Sequence, residues 1–177
     1  MALKVFSTPA LPRVNGGIMR LLPIATTVCA ALLSILPLKI PGYAALTPAF
    51  TLMAAYHWTI YRPDLLPPLA LFVIGIGADL LVGAPVGVGA LELLLVYTVV
   101  IGNRRYFVNR TFPFVWSGFT LLTGCAMFGL WALHCLLDAT LLDFRSTIFR
   151  AVLTVAFFPP ASFLLGRTQR ALMGDAQ

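Results

Sequence analysis

The chain has 177 residues, of which 60% are apolar and only 10% charged, with a mean hydropathy of +0.94. A water-soluble domain of ordinary composition carries about 25% charged residues, and a disordered segment carries still fewer apolar ones, so both classes are excluded and the solvent is lipid. Twelve basic residues against six acidic ones give a net charge of +6, and the position of those charges decides what they report.

Six apolar stretches follow one another, at roughly 20–38, 46–61, 66–83, 86–102, 112–137 and 147–166. Each lies near the length that an α-helix needs to cross a ~30 Å hydrocarbon core. A transmembrane barrel is excluded, because its strands alternate in polarity, whereas Leu69 to Ile74 is apolar on every side. The expected architecture is an all-α integral membrane protein: one six-helix transmembrane bundle spanning residues 1–177. Residues 1–19 read as a short irregular lead and 167–177 as a tail. Arg13 and Arg20 precede the first stretch as they would a signal peptide, but the stretch is long for one and its removal would break the even topology, so it reads as an uncleaved span.

Prolines and glycines punctuate the stretches at Pro37, Pro41, Pro48, Pro67, Pro68, Gly83 to Gly89 and Pro113. Pro159 and Pro160 fall inside the last stretch instead, where they are expected to kink or break the helix. With six spans both termini share a side. Lys4, Arg13, Arg20, Arg62, Arg104, Arg105, Arg110, Arg167 and Arg170 lie there, against Lys39, Arg145 and Arg150 on the other. The positive-inside rule therefore places both termini in the cytoplasm, and the basic character needs no nucleic-acid partner.

The third and fourth stretches carry the acids Asp79 and Glu92, at similar depths in the outer half on either side of the Gly83 to Gly87 turn. His134, Asp138 and Arg150 lie at the same outer level, so Asp79, Glu92, His134 and Arg150 form a candidate polar pocket. Each acid has a structural use, accepting hydrogen bonds from hydroxyls or backbone, and a chemical one as a proton-transfer or binding pair. No nucleophile, metal set or cofactor motif accompanies them, which argues against an enzyme. Neither histidine has the three protein ligands that zinc wants. His57, among Tyr56, Trp58 and Tyr61 and just before Arg62, reads as part of an interfacial aromatic belt. Cys29, Cys125 and Cys135 lie in apolar runs with no CxxC spacing and read as packing residues. Gly75, Asp79 and Gly83 recur at four-residue steps, and Gly83 and Gly87 make a GxxxG, so one close-packing face serves either the bundle or a partner's helix.

Two segments together carry a resemblance. Tyr56-His57-Trp58-Thr59-Ile60-Tyr61-Arg62-Pro63-Asp64-Leu65-Leu66-Pro67 is an aromatic-rich stretch ending in an Arg-Pro-acidic turn. Gly75-Ile76-Gly77-Ala78-Asp79-Leu80-Leu81-Val82-Gly83-Ala84-Pro85-Val86-Gly87 follows it. The pair, with the basic turn Asn103-Arg104-Arg105, resembles the pattern of the MreD family of bacterial rod shape-determining membrane proteins. The resemblance implies a non-enzymatic scaffold of the cell-wall elongation (Rod) complex in the cytoplasmic (inner) membrane. It implies as partners MreC, the actin-like MreB, RodA and a class B penicillin-binding transpeptidase. It also implies a fold similar to the S components of energy-coupling-factor transporters. On it, Arg62, Pro63, Gly75, Asp79, Gly83 and Gly87 form the partner-binding or structural motif. A solute-binding transporter subunit is the alternative, and the sequence leaves homodimerisation open.

Overall fold

The computed structural model describes residues 16–35, 47–108, 110–138 and 144–172. Among them the chain forms six α-helices and no strand: α1 (Gly16–Ile35), α2 (Phe50–Tyr61), α3 (Pro68–Val82), α4 (Val88–Phe107), α5 (Phe112–Asp138) and α6 (Phe144–Leu172), with a 3-10 turn at Pro63–Leu65 between α2 and α3. Two segments are long and apolar enough to cross a membrane, Phe112–Ala132 and Phe144–Arg170, while Leu21–Ser34 and Pro68–Val82 are apolar but shorter.

The helix ends depart from the apolar boundaries where local chemistry overrides hydropathy. The lead is helical from Gly16, and α6 runs on through Arg167 and Arg170 rather than stopping at residue 166. Basic side chains in a last turn face the negative end of the helix dipole, so they prolong a helix instead of ending it. Upstream, Pro67 takes the N-cap position of α3 and Pro68 its first turn, where a missing N–H costs nothing.

The short α2 is the axis of the bundle. Every side chain from Leu52 to Ile60 is buried, so the helix has no outward-facing side over this stretch, and it packs against α1, α4 and α6. Twelve residues rise about 18 Å, and because the helix is enclosed by its neighbours both of its ends need partners from inside the protein. At its N-terminal end the Ala49 N–H donates to Thr154 Oγ1 on α6 (3.1 Å) and the Thr51 N–H to Ser34 Oγ on α1 (3.3 Å). At the other end Arg104 Nε on α4 donates to the Ile60 carbonyl (2.8 Å), satisfying one of the acceptors that a helix C-terminus leaves open.

This central position corrects the expectation for the aromatic residues of α2. Tyr56 and Trp58 are fully buried and His57 nearly so, leaving only Tyr61 exposed, so they form the core and not an interfacial belt. The Tyr56 ring meets Phe107, Phe119 and Phe158 edge-on at 6.1, 5.1 and 5.7 Å, and its hydroxyl donates to the Val115 carbonyl (2.9 Å). Phe119 and Phe158 stack at 4.1 Å. One tyrosine thereby ties α2 to α4, α5 and α6, each aromatic pair adding about 0.5–1.5 kcal/mol beyond its buried area.

Of the kink or break expected at the proline pair, the break does not occur: α6 is a single helix through Pro159 and Pro160. Pro159 lacks the N–H that would bond the carbonyl four residues back, at Val155. Trp116 Nε1 on α5 donates to that carbonyl instead (3.1 Å), so a neighbouring helix repairs the ladder. Replacing this indole by a ring without a donor, Trp116→Phe, is expected to lower stability by about 1 kcal/mol in a detergent or bicelle unfolding titration; unchanged stability would show that the repair is dispensable.

Candidate functional site: the capped hairpin and its cavity

The hairpin between α3 and α4 begins with a glycine end to α3. Gly83 has φ 72°, a left-handed conformation that a side chain disfavours, and both its N–H and that of Ala84 donate to the Asp79 carbonyl. Gly87, with φ 100°, repeats the reversal at the start of α4. The opening N–H groups of α4 therefore point back at α3, and Asp79 is where they arrive.

The Asp79 carboxylate is 7% exposed and accepts three contacts from two amides. The Gly87 N–H donates to Oδ2 (2.9 Å), and the Gly89 N–H lies 3.1 Å from Oδ2 and 3.2 Å from Oδ1. An acid on one helix thus caps the next. The carboxylate also faces the positive end of the α4 dipole, an orientation that suits an acid. Two glycines provide the necessary closeness. A Cβ at Gly89 would collide with Asp79 Oδ1, and a Cβ at Gly75 would strike the Ala90 backbone, whose nitrogen stands 2.7 Å from that position.

The residues singled out by the sequence divide between this hairpin and its surroundings. Gly75 and Asp79 face α4 of the same chain, which covers them and leaves no room for a partner's helix there. Gly83 and Gly87 form the turn. Arg62 is the exposed C-cap of α2, its N–H donating to the Trp58 carbonyl (2.7 Å), and Pro63 opens the 3-10 turn. Asp79, Glu92 and Arg150 line a single cavity of about 340 Å³ together with Ser34 and Thr51. The sequence placed Arg150 near the start of the sixth helix; it lies in the second turn of α6, which begins at Phe144. His134 belongs to α5, but its side chain lies outside the described residues, as does that of Asp138; Leu130, one turn before His134, lines the cavity.

The cavity sets two acids and one arginine among apolar walls, an arrangement suited to holding charge in place. Among the described residues no group of three or more His, Cys, Asp or Glu side chains could hold a metal ion. A second hollow, of about 570 Å³, opens among α2, α5 and α6 beside His57 and was not legible in the sequence. The one available signal was a histidine in the middle of an otherwise nearly apolar buried helix.

The family model of the rod shape-determining protein MreD matches residues 17–167. The chain belongs to the MreD family. The match runs from the second residue of α1 to the last turns of α6, so the Asp79 hairpin, the cavity and the α2 core are all parts of the MreD unit. No curated protein and no solved structure matches the chain.

Asp79→Ala, which strands the Gly87 and Gly89 amides, is expected to cost about 2 kcal/mol of stability, and Asp79→Asn, which keeps one acceptor oxygen, about half as much. Gly75→Leu should do at least as much damage by forcing α3 off α4. Unfolding titrations of the three variants check the order, and Asp79→Ala with wild-type stability would show that the cap carries no weight.

Proposed function

We propose that this membrane protein is a non-enzymatic scaffold of the cell-wall elongation complex, supporting lateral peptidoglycan synthesis and so maintaining rod shape. The observation that carries the proposal is the match to the MreD family over residues 17–167. The fold suits the role. Its polar groups are spent on caps between helices, as at Asp79, Arg104 and Thr154, which makes a stiff body for other chains to dock on. The partners that the family suggests are MreC, MreB, RodA and a class B penicillin-binding transpeptidase. With Gly75 and Asp79 covered by α4, docking falls to the outer faces of the bundle. Exposed apolar side chains such as Leu80, Leu81, Leu121 and Phe163 offer such faces.

In this reading all six helices lie in the inner membrane and both termini face the cytoplasm. The support is the bias of basic residues, nine on that side against three on the other. The short α2 spans as part of the bundle, its ends covered by neighbours, as discontinuous helices inside membrane proteins do.

A second reading, a solute-binding subunit resembling the S components, is favoured by one observation: the cavity that gathers Asp79, Glu92 and Arg150. Depletion separates the two. Rod-shaped cells that turn spherical, together with co-purification of a single-span periplasmic partner, are expected for the scaffold. Normal shape with a lost nutrient requirement would overturn it in favour of transport. A C-terminal alkaline phosphatase fusion is expected to be inactive, and an active one would contradict the six-span topology.

A further inference from the structure

The end of the bundle where α2, α4 and α6 finish and α5 begins carries six arginines, and Asp64 is the single acid there among the described residues. Arg104 is committed to the Ile60 carbonyl, while Arg62, Arg105, Arg110, Arg167 and Arg170 are exposed. Among the described residues none of these five pairs with a carboxylate. Three of them lie over aromatic rings instead: Arg105 over Tyr106 at 4.9 Å, Arg110 over Phe114 at 5.6 Å and Arg167 over Phe163 at 5.8 Å. The rings themselves are 48%, 44% and 61% exposed, so each pair stands on the outside of its helix. Both long apolar segments end here: Arg110 stands just before Phe112–Ala132, and Phe144–Arg170 closes on Arg167 and Arg170.

We infer that this arginine rim binds anionic phospholipids of the adjoining leaflet, each stacked guanidinium presenting its N–H edge to a headgroup phosphate while its ring meets the upper part of the lipid chains. The stacking chooses the occupant. An exposed ring at the end of an apolar helix marks the level where hydrocarbon gives way to headgroups, and a guanidinium laid over it is held at the level of the phosphates. A soluble partner would meet cations projecting from the end of the bundle, whereas these three are drawn against exposed rings on its flanks. Residue type agrees, because every basic side chain at this end among the described residues is an arginine. Lysine satisfies a charge bias between leaflets equally well, but only arginine offers a planar fork that takes two phosphate oxygens at once and still stacks on a ring. The inference rests on the membrane placement of the six helices and not on the scaffold reading.

Native mass spectrometry of the full chain in detergent tests the inference, with phosphatidylglycerol and phosphatidylcholine offered in equal amounts and glycerol phosphate and polyglutamate as soluble probes. The expected result is about three retained phosphatidylglycerols per chain, one for each stacked arginine, preferred over phosphatidylcholine by about fivefold and not displaced by glycerol phosphate. A variant combining Arg105→Gln, Arg110→Gln and Arg167→Gln, which spares Arg104 and its bond to α2, should retain the two lipids equally. One combining Arg105→Lys, Arg110→Lys and Arg167→Lys keeps the charge but loses the fork, and should lose about half of the preference. Equal retention by the wild type, displacement by glycerol phosphate, or a preference that survives the glutamine changes or survives the lysine changes in full would each overturn the inference. Retention of polyglutamate in place of phosphatidylglycerol would also overturn it, giving the rim to an acidic polypeptide. An active C-terminal alkaline phosphatase fusion would instead contradict the topology alone, since the rim would keep its lipid preference in the other leaflet.

Discussion

The carboxylate of Asp79 closing the N-terminus of α4 is the interaction on which the rest of the arrangement depends. A buried helix N-terminus presents N–H groups that water cannot reach, and each one left open costs more than most packing contacts return. One acid a few residues before the turn resolves this, provided the turn is tight enough to bring the amides to it. That proviso explains the glycines around it. Gly83 and Gly87 make the reversal, Gly89 leaves space for the carboxylate, and Gly75 lets α3 and α4 lie close enough for the cap to reach. The glycines and the acid of the motif thus act together as one mechanical device.

The same rule is met at other helix ends with different side chains. Thr154 receives the amide that opens α2, Arg104 binds a carbonyl that closes it, and Trp116 takes the carbonyl released by Pro159. These links run between helices distant in sequence, so each one both satisfies a backbone group and fixes how two helices sit. A short, wholly buried α2 is tolerable only inside such a ring of donors and acceptors.

Helix number and order were legible from apolar runs and their proline and glycine boundaries, and the MreD resemblance was legible from about fifty residues around the Asp79 motif. Details that depend on distant partners were not. His57 and Trp58 sit beside Tyr61 and Arg62, a local pattern typical of a membrane interface, but the central place of α2 turns them inward. Pro159 and Pro160 read as a kink or a break, and which residue keeps the helix continuous could not be read, because Trp116 lies on another helix. Among the candidate pocket residues, depth along each helix could be counted, so Asp79, Glu92 and Arg150 could be grouped; which of them served as a cap could not, since that turns on the backbone reversal at Gly87.

Residue-resolved amide hydrogen exchange tests the role of the Asp79 cap most directly. In the wild-type protein the Gly87 and Gly89 amides, bonded to a buried carboxylate, should exchange slowly. In Asp79→Ala they should exchange at least about tenfold faster, with the increase spreading into the first turns of α4 while the amides of α2 remain protected. If Gly87 and Gly89 stay as protected in Asp79→Ala as in the wild type, the hairpin is held by something other than the cap, which contradicts the central place of Asp79 in the fold.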